Sequence, residues 1–347
     1  MKKISLLVLA MLFCFSAAVY AQQLPKVAIL ATGGTIAGST DAGGTVTTGY
    51  KAGALTVDTL INAVPELTKI AQITGEQICN IDSSNMTDEV WLKLADRINT
   101  LLQTVDGIVI THGTDTMEET AFFLNLVVKS NKPVVLVGAM RPATAISADG
   151  PKNLYNAVAL AGSPFAKGKG VMVAMDDTIY GARDVTKTNT MLTSTFKAPN
   201  SGAIGTIIDG TPHFYAAQSR PHTTRSEFSV AGLKSLPKVD ILYTYSNDGS
   251  KVAAEAFIKA GAKGLVVAGS GAGSIHENQL GYLRELAKNK QAIVVRSSRT
   301  GSGYVPNAND GTLNADNLNP QKARVLLMLA LTKTNDPKII QSIFDKY

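Results

Sequence analysis

The sequence predicts an α/β protein of two domains, with a larger N-terminal domain built on a mostly parallel sheet flanked by helices and a smaller C-terminal α/β domain. Three observations lead to this prediction. Compact apolar runs alternate with segments of helical periodicity, as in strands joined by helices. The alternation fades between residues 213 and 236 and then resumes. The length of 347 residues exceeds what one core usually supports.

Apolar runs predict the strands of the first domain. These runs are Lys26–Ala31, Gly107–Ile110, Pro133–Val137 and Gly170–Met175. A helix is predicted between the first two, because apolar residues recur at helical spacing after an acidic first turn: Asp88, Glu89, Trp91, Leu94, Ile98 and Leu101. Thr116 and Glu119 have the spacing of a capping box, which predicts a further helix through Val128.

The same alternation returns in the second domain. Strands are predicted at Val239–Tyr245, Leu265–Ala268 and Ala292–Arg296, and helices at Lys251–Ala260, at Pro320–Leu331 and from Pro337 onward. Gly261 is placed as the C-cap of the first of these helices. We therefore predict domains at residues 22–212 and 237–347, joined by a polar linker at residues 213–236.

The N-terminus has the pattern of a secretory signal peptide. Lys2 and Lys3 precede the apolar run Ile4–Val19, and Ala21 completes a small-residue cleavage signature. A membrane anchor is the alternative, but the run is shorter than the roughly 20 residues that span a bilayer. We expect residues 1–21 to be removed and the protein to be periplasmic, with secretion to the medium as an alternative.

Composition narrows the function classes. The formal net charge of +6 is scattered along the chain, without the basic stripe and interleaved aromatics typical of nucleic-acid binding. Once Cys14 leaves with the signal peptide, Cys79 is the one remaining cysteine, so no intrachain disulfide is expected. We interpret Cys79 as a small buried hydrophobic residue.

Two loops follow predicted strands and combine hydroxyls with glycines. They are Thr32–Ala37 and Thr111–Thr116. Ligands of open α/β sheets bind beyond the carboxyl ends of strands, and backbone N–H groups at glycines and helix N-termini suit an anionic group. Taken singly, each loop is equally compatible with a purely structural turn or cap.

The sequence does not contain the signatures of several other kinds of functional site. The glycine loops lack the Gly-Lys-Ser/Thr ending of a P-loop, and Gly-x-Ser-x-Gly is absent. The run Gly269–Ser274 fails as a dinucleotide fingerprint, because Ser274 stands where its third glycine belongs. The four histidines are far apart and have no acidic or cysteine partners at ligand spacing, so no metal and no cofactor are expected.

The chain resembles the bacterial type II L-asparaginase and glutaminase-asparaginase family from the end of the signal peptide to the C-terminus. The motifs that carry the resemblance are Ala31–Ala37, Ile110–Thr120, Val137–Pro142, Ser147–Pro151, Asp184–Asn189 and Val295–Arg299. The first motif alone is short enough to recur by chance, whereas all of them in this order are highly specific.

The resemblance implies a threonine nucleophile. Thr35 would attack the side-chain amide, with Tyr50 beside it and Thr114, Asp115 and Lys187 as a proton relay. Without the resemblance, Lys187 would be interpreted as a solvated surface lysine, because lysines are rarely buried unpaired. A buried lysine near an aspartate can instead exchange protons near neutral pH.

The resemblance also implies a substrate site. Ser83 would hold the α-carboxylate and Asp115 the α-amino group, and Gly34 and Thr114 are also expected to bind substrate. N–H groups of the glycine loops are the natural candidates to stabilise the oxyanion. Ser84 stands where the family usually has glutamine or glutamate, and Asp310 (or Asn309) replaces a glutamate. Serine at position 274 is typical of glutamine-tolerant members; without the resemblance, Ser274 would be a helix N-cap before Ile275.

The expected substrate is therefore L-asparagine, with L-glutamine as a secondary substrate. The resemblance implies a homotetramer in which Ser274 and Asp310 reach the site of a neighbouring subunit. A periplasmic amino-acid-binding protein without catalysis is the main alternative, since it too combines a signal peptide with two α/β domains. A dinucleotide-dependent oxidoreductase is a third possibility, weakened by Ser274.

Overall fold

The computed structural model describes residues 23–40 and 44–347, so the predicted signal peptide lies outside the described residues. Within them the chain forms an eight-stranded sheet, a four-stranded sheet and a short two-stranded ribbon. The strands are β1 (Lys26–Gly33), β2 (Gln72–Ile81), β3 (Gly107–Thr111), β4 (Val134–Val137), β5 (Val171–Met175), β6 (Thr178–Gly181), β7 (Thr186–Lys187), β8 (Phe196–Lys197), β9 (Gly205–Ile208), β10 (Thr211–Phe214), β11 (Val239–Tyr243), β12 (Gly264–Gly269), β13 (Ile293–Ser298) and β14 (Leu313–Asn314).

The α-helices of the described residues connect these strands. They are α1 (Val57–Asn62), α2 (Asp88–Leu101), α3 (Met117–Val127), α4 (Gly150–Gly162), α5 (Lys251–Lys259), α6 (Glu277–Lys288), α7 (Pro320–Leu331) and α8 (Pro337–Lys346). Prolines at the first helical position begin α7 and α8, where the missing N–H has no intrahelical partner in any case. Thr87 caps α2, since its hydroxyl accepts a hydrogen bond from the Val90 N–H.

The larger sheet has the strand order β10-β9-β6-β5-β4-β3-β1-β2. Strands β1 to β5 pair in parallel, whereas β6, β9 and β10 extend the sheet antiparallel at one edge. The smaller sheet, β11-β12-β13-β14, is parallel throughout. The predicted class, with a larger mostly parallel domain and a smaller α/β domain, is confirmed.

Helices and sheets stack in five alternating layers. Helices α1 and α4 cover one face of the larger sheet. The opposite face packs on α2 and α3, which share one apolar core with α7, α8 and the smaller sheet. Helices α5 and α6 cover the far face of the smaller sheet. The middle layer therefore contains helices from both halves of the chain, and burial of its apolar surface holds the two sheets together.

Strand β2 was absent from the sequence prediction for a physical reason. It lies at the edge of the larger sheet and pairs on one side only, with β1. Most of its residues are exposed or half-buried, so its sequence has no apolar run. Central strands such as β1 and β3 are buried on both faces and therefore read as continuous apolar segments.

Two finer predictions need correction. The segment predicted as a linker begins inside β10, because residues 213 and 214 pair with β9 in a tight antiparallel hairpin. Cys79 is only half-buried, and its thiol donates a weak hydrogen bond to the Thr32 carbonyl at 3.4 Å. Burial raises the pKa of this thiol, which favours the unreactive protonated form.

None of the helices in the described ranges is long and apolar enough to cross a membrane.

Candidate active site

The candidate site lies where the strand order of the larger sheet reverses. Strand β1 pairs with β2 on one side and β3 on the other. The chain therefore runs from β1 to the neighbour on one side, β2, and then returns past β1 to the neighbour on the other side, β3. Crevices at such switch points, beyond the carboxyl ends of the strands, are the usual ligand sites of open α/β sheets. The loops after these three strands carry Thr35, Ser83 and Thr114.

Glycines allow these three loops to touch. Gly34 has a positive φ of 81°, and a Cβ placed on it would lie 2.3 Å from the backbone of Gly113. A Cβ on Gly113 would lie 2.5 Å from the Ser83 hydroxyl. Any larger residue at either position would push the loops apart, so the close approach requires glycine.

Thr35 begins a short 3₁₀ turn (Thr35–Ala37) directly after Gly34. The residue is buried apart from a small accessible fraction, and its hydroxyl is 2.5 Å from the hydroxyl of Tyr50. Gly34 lines the pocket, but its N–H donates to the Ile81 carbonyl at 3.0 Å. That N–H is therefore engaged within the loop, which argues against Gly34 itself as an oxyanion donor.

A lysine also lines the pocket. The Lys187 ammonium donates to the Thr114 hydroxyl at 2.8 Å and to the Asp115 carboxylate at 2.6 Å. Its side chain is 17% exposed and that of Asp115 is 60% exposed, so the pair opens toward solvent on the aspartate side. The solvated surface lysine of the alternative interpretation is not what the structure contains.

Ser83 is buried beneath this pair and contacts the loop after β3 twice. Its hydroxyl accepts a hydrogen bond from the Asp115 N–H at 3.2 Å, and its carbonyl accepts one from the Thr116 hydroxyl at 2.7 Å. Thr116 is the N-cap residue of α3, but its side chain makes no capping hydrogen bond. The predicted capping box is therefore wrong, although the helix is present: the Thr116 hydroxyl binds the Ser83 loop instead of its own helix.

The five residues predicted to be catalytic meet around one cavity of about 550 Å³: Thr35, Tyr50, Thr114, Asp115 and Lys187. The predicted substrate residues Gly34 and Ser83 also line it. Sequence reasoning missed other lining residues, namely Thr47, Thr48, Gly49, Ala52, Asp82, Met140, Thr190 and Met191, whereas Gly113 belongs to a loop that it had singled out. The polar run before Tyr50 was a usable signal, whereas Met140 and Met191 carry no pattern that distinguishes them from core methionines.

Three predicted substrate residues do not line the cavity of the single chain. The hydroxyl of Ser84 donates to Asp82 at 2.7 Å, and Ser84 itself does not line the pocket although Asp82 does. Ser274 is exposed in the smaller domain and forms a backbone bridge with Ser270, while His276 is the N-cap of α6, so the N-cap alternative for Ser274 is wrong. Asp310 binds Arg284 at 2.9 Å and also binds Arg296, within the smaller domain.

A buried hydrogen-bonded chain supports the loop from behind. The Trp91 indole N–H donates to the Thr120 hydroxyl, which lies 2.9 Å from His112 Nε2, and His112 Nδ1 is 2.7 Å from the Gly113 carbonyl. Burial lowers the pKa of His112 to about 4, so the ring is neutral at physiological pH.

The described residues contain no cluster of histidine, cysteine and carboxylate side chains able to hold a metal ion.

Fold and site together define a class: a two-domain α/β enzyme in which threonine hydroxyls and a paired lysine meet at a sheet switch point. The chain belongs to the asparaginase family. Its residues 26–220 match the family model for the asparaginase N-terminal domain, and residues 238–344 match the model for the glutaminase/asparaginase C-terminal domain.

Individual relatives agree with this assignment. L-asparaginase 2 of Bacillus subtilis is 57% identical over 94% of this chain and 88% of its own length. A probable periplasmic L-asparaginase of Haemophilus influenzae is 52% identical over 94% of both chains. The crystal structure of a probable cytoplasmic L-asparaginase from Campylobacter jejuni is 60% identical, with a TM-score of 0.91 over 93% of this chain and all of that one.

Proposed function

We propose that this chain is an L-asparaginase that hydrolyses the side-chain amide of L-asparagine to L-aspartate and ammonia, with minor activity on L-glutamine. The match of both halves to asparaginase family models supports this activity, and the name of the second model includes glutaminase. The observation that carries the proposal is the meeting of the Thr35–Tyr50 pair with the Thr114–Asp115–Lys187 group in one cavity.

The reaction proceeds through a threonine ester. The Thr35 hydroxyl attacks the amide carbon as its proton is withdrawn, and a negatively charged tetrahedral intermediate forms. The intermediate collapses as the amide nitrogen gains a proton and leaves as ammonia, so that a β-aspartyl ester remains on Thr35. Water then attacks this ester carbon, and the Thr35–acyl bond breaks to release aspartate and restore the hydroxyl.

Proton transfer is assigned to the group around Lys187. The Lys187 amine takes up the proton through the Thr114 hydroxyl, to which it is hydrogen-bonded at 2.8 Å. Asp115 stabilises the resulting ammonium at 2.6 Å. Tyr50 holds the Thr35 hydroxyl in its attacking orientation. The Gly34 N–H already donates to the Ile81 carbonyl. The negative oxygen of the tetrahedral intermediate is therefore assigned to other N–H and O–H donors of the same loops.

The zwitterionic end of the substrate is assigned to two residues of the same loops. Ser83 binds the α-carboxylate, and the exposed side of the Asp115 carboxylate binds the α-ammonium. Both charges must find partners, because burying either one alone is costly. Ser84 is turned toward Asp82, so a bridging water is the route by which it contributes to this end of the site.

The site is completed, in this proposal, by a neighbouring subunit of a homotetramer. Ser274 is exposed on the smaller domain, which suits a residue that reaches another subunit's pocket. Asp310 is less suited, because Arg284, Arg296 and Thr312 already bind its carboxylate, and the adjacent Asn309 is exposed instead.

We also propose export to the periplasm, with cleavage after Ala21. The names of the relatives give both locations: the Haemophilus protein is called periplasmic and the Campylobacter protein cytoplasmic. N-terminal sequencing of the protein made in its host tests this: a mature chain that begins at Gln22 supports export, and an intact Met1 in a cytosolic fraction contradicts it.

Replacement of the nucleophile tests the central step. Thr35→Ala removes the attacking hydroxyl and leaves the buried backbone in place, so we expect kcat to fall by at least about 10³-fold while aspartate still binds. Ammonia release and calorimetric binding measure the two effects. Full turnover in Thr35→Ala would overturn the nucleophile assignment, and a parent protein that binds asparagine without releasing ammonia would favour the binding-protein alternative.

A further inference from the structure

The lysine of the candidate site does not come from the main sheet. Lys187 belongs to β7, a strand of two residues that pairs only with β8. Thr35, Ser83 and Thr114, by contrast, follow long strands buried in the larger sheet or paired along its edge. A two-residue ribbon is too short to hold a side chain accurately by its own hydrogen bonds. The position of Lys187 must therefore be set by groups outside the ribbon.

One such group is the buried carboxylate of Glu118. Its Oε2 accepts a hydrogen bond from the backbone N–H of Lys187 at 2.8 Å. Its Oε1 accepts hydrogen bonds from the Asn319 amide at 2.8 Å and the Gln321 amide at 2.6 Å. Asn319 is the N-cap of α7 and Gln321 lies in its first turn. Glu118 thus joins the backbone of Lys187 to the start of a helix from the smaller domain.

The second group is Lys322, which is 2% exposed. Its ammonium donates to the carbonyl of Arg183 at 2.8 Å and to that of Val185, immediately before β7. Burial lowers the pKa of Lys322 to about 8, but the amine can donate both hydrogen bonds whether or not it carries the extra proton. Lys322 does not line the candidate pocket, and both of its hydrogen bonds to this segment are to backbone carbonyls. The nearby carboxylates of Glu118 and Asp184 also favour its charged form.

We infer that Glu118 and Lys322 are positioning residues for Lys187, through which helix α7 of the smaller domain sets the geometry of the proton relay. The inference rests on the proposed function, because it assigns a task to residues that act through Lys187. The contacts fix the segment at three backbone atoms: the Arg183 and Val185 oxygens and the Lys187 nitrogen. Displacement of a catalytic group by about 1 Å can cost about 10²-fold in rate.

The test compares two lysines with the same kind of contact. Lys322→Met keeps most of the side-chain volume but removes both hydrogen bonds, and we expect kcat to fall by roughly 10- to 100-fold with KM nearly unchanged. Lys132→Met is the matched control, since Lys132 also donates to two carbonyls, those of Leu102 and Val105 at 2.8 and 2.7 Å. Lys132 precedes β4, whereas the site loops follow the carboxyl ends of the parallel strands, so Lys132→Met should lower the melting temperature and keep the parental kcat.

Glu118→Gln is the second variant and does not depend on how well Lys322→Met folds. The amide has the same shape but only one acceptor oxygen, so either the Lys187 N–H or the amides of α7 lose their partner. We expect the same selective loss of kcat. Equal loss of kcat in Lys322→Met and Lys132→Met, or parental kcat in both Lys322→Met and Glu118→Gln, overturns the inference.

A double variant separates this inference from the proposed function. If Lys322 acts through Lys187, then adding Lys322→Met to Lys187→Met leaves the residual turnover unchanged, because the group being positioned is already gone. A further large loss contradicts positioning. Lys187→Met alone is measured in parallel: parental turnover there refutes the proposed relay, whereas an inactive Lys187→Met beside a fully active Lys322→Met refutes only the positioning role.

Discussion

At several positions of the site, close contacts between loops restrict which residue types can be accommodated. Gly34, Gly113 and Ser83 meet so closely that one methyl group would separate the loops. Residue type alone was misleading for Lys187, which general statistics place on the surface. The structure pairs it with Thr114 and Asp115 because β7 brings it across the end of β3. The motif resemblance, rather than the residue type, had identified it.

Gly34→Ala should separate the two site loops. The added Cβ would meet Gly113 at 2.3 Å in a backbone conformation with φ of 81°. We expect kcat to fall by about 100-fold and the melting temperature to drop. Gly232→Ala is the control, because its φ is 77° and no atom lies within 4 Å of the added carbon. It should show only the strain of about 1 kcal/mol, and equal losses of activity in both variants would contradict the prediction.

Elements were predictable where their burial leaves a pattern. The parallel strands β1, β3, β4 and β5 and the helix α2 were found to within a few residues, since each buries a continuous run or one apolar face. The edge strand β2 was missed for want of such a run. At the start of α3 the helix was predicted correctly but its cap was not. A hydroxyl that reaches another loop cannot be distinguished by spacing from one that caps its own helix.

Thr116→Val tests that contact. The variant removes the hydrogen bond to the Ser83 carbonyl while keeping the side-chain shape, so the Ser83 loop should loosen. We expect a several-fold rise in KM for asparagine and a stability loss of about 1 kcal/mol. Thr87→Val removes a true N-cap, at α2, and should cost similar stability without changing KM. A normal KM in Thr116→Val would indicate that the hydrogen bond to the Ser83 carbonyl does not shape the substrate site.

At the scale of the whole molecule, the shared middle layer of helices makes the stability of one half depend on the other. Helix α3 carries Glu118 and follows the Thr114 loop, and it packs on α7 in one core. Burial in this layer also places ionisable groups away from water: burial raises the pKa of Glu119 to about 7 and lowers that of His112 to about 4. The stability of the folded chain should therefore respond to pH.

His112 makes one contribution to that response below neutral pH. Its pKa is about 4 when folded against 6.5 when unfolded, so between these values the unfolded state binds more protons. The contribution of His112 to the free energy of unfolding should thus fall as pH drops from 6.5 toward 4, whereas Glu119, whose pKa burial raises from 4.5 to about 7, contributes in the opposite direction. In His112→Gln the His112 contribution is absent, so as pH drops over this range the free energy of unfolding should fall less, or rise more, than in the parent, as measured by urea denaturation at several pH values. His213→Gln, at an exposed site, is the control, and identical slopes in parent and His112→Gln would refute the prediction.

Assembly connects substrate choice to the whole molecule. If Ser274 completes a neighbour's site in a tetramer, Ser274→Asn should lower glutamine turnover more than asparagine turnover, by about 10-fold, since a larger side chain takes up room needed for the extra methylene. Steady-state assays with both substrates measure this, and light scattering measures the tetramer. Equal loss of both activities, or a fully active monomer, would contradict the prediction.

The sequence by itself determined the class of fold, the family and the identity of the residues around Thr35 and Thr114, because buried strands and glycine-bearing loops leave local patterns. Only the tertiary structure decided which side chains meet. It brought Lys187 onto the β3 loop, turned Ser84 toward Asp82 and enclosed Asp310 between two arginines. It also linked Glu118 and Lys322 to the site. These contacts join residues far apart in the chain, and packing between layers, which local spacing does not encode, decides them.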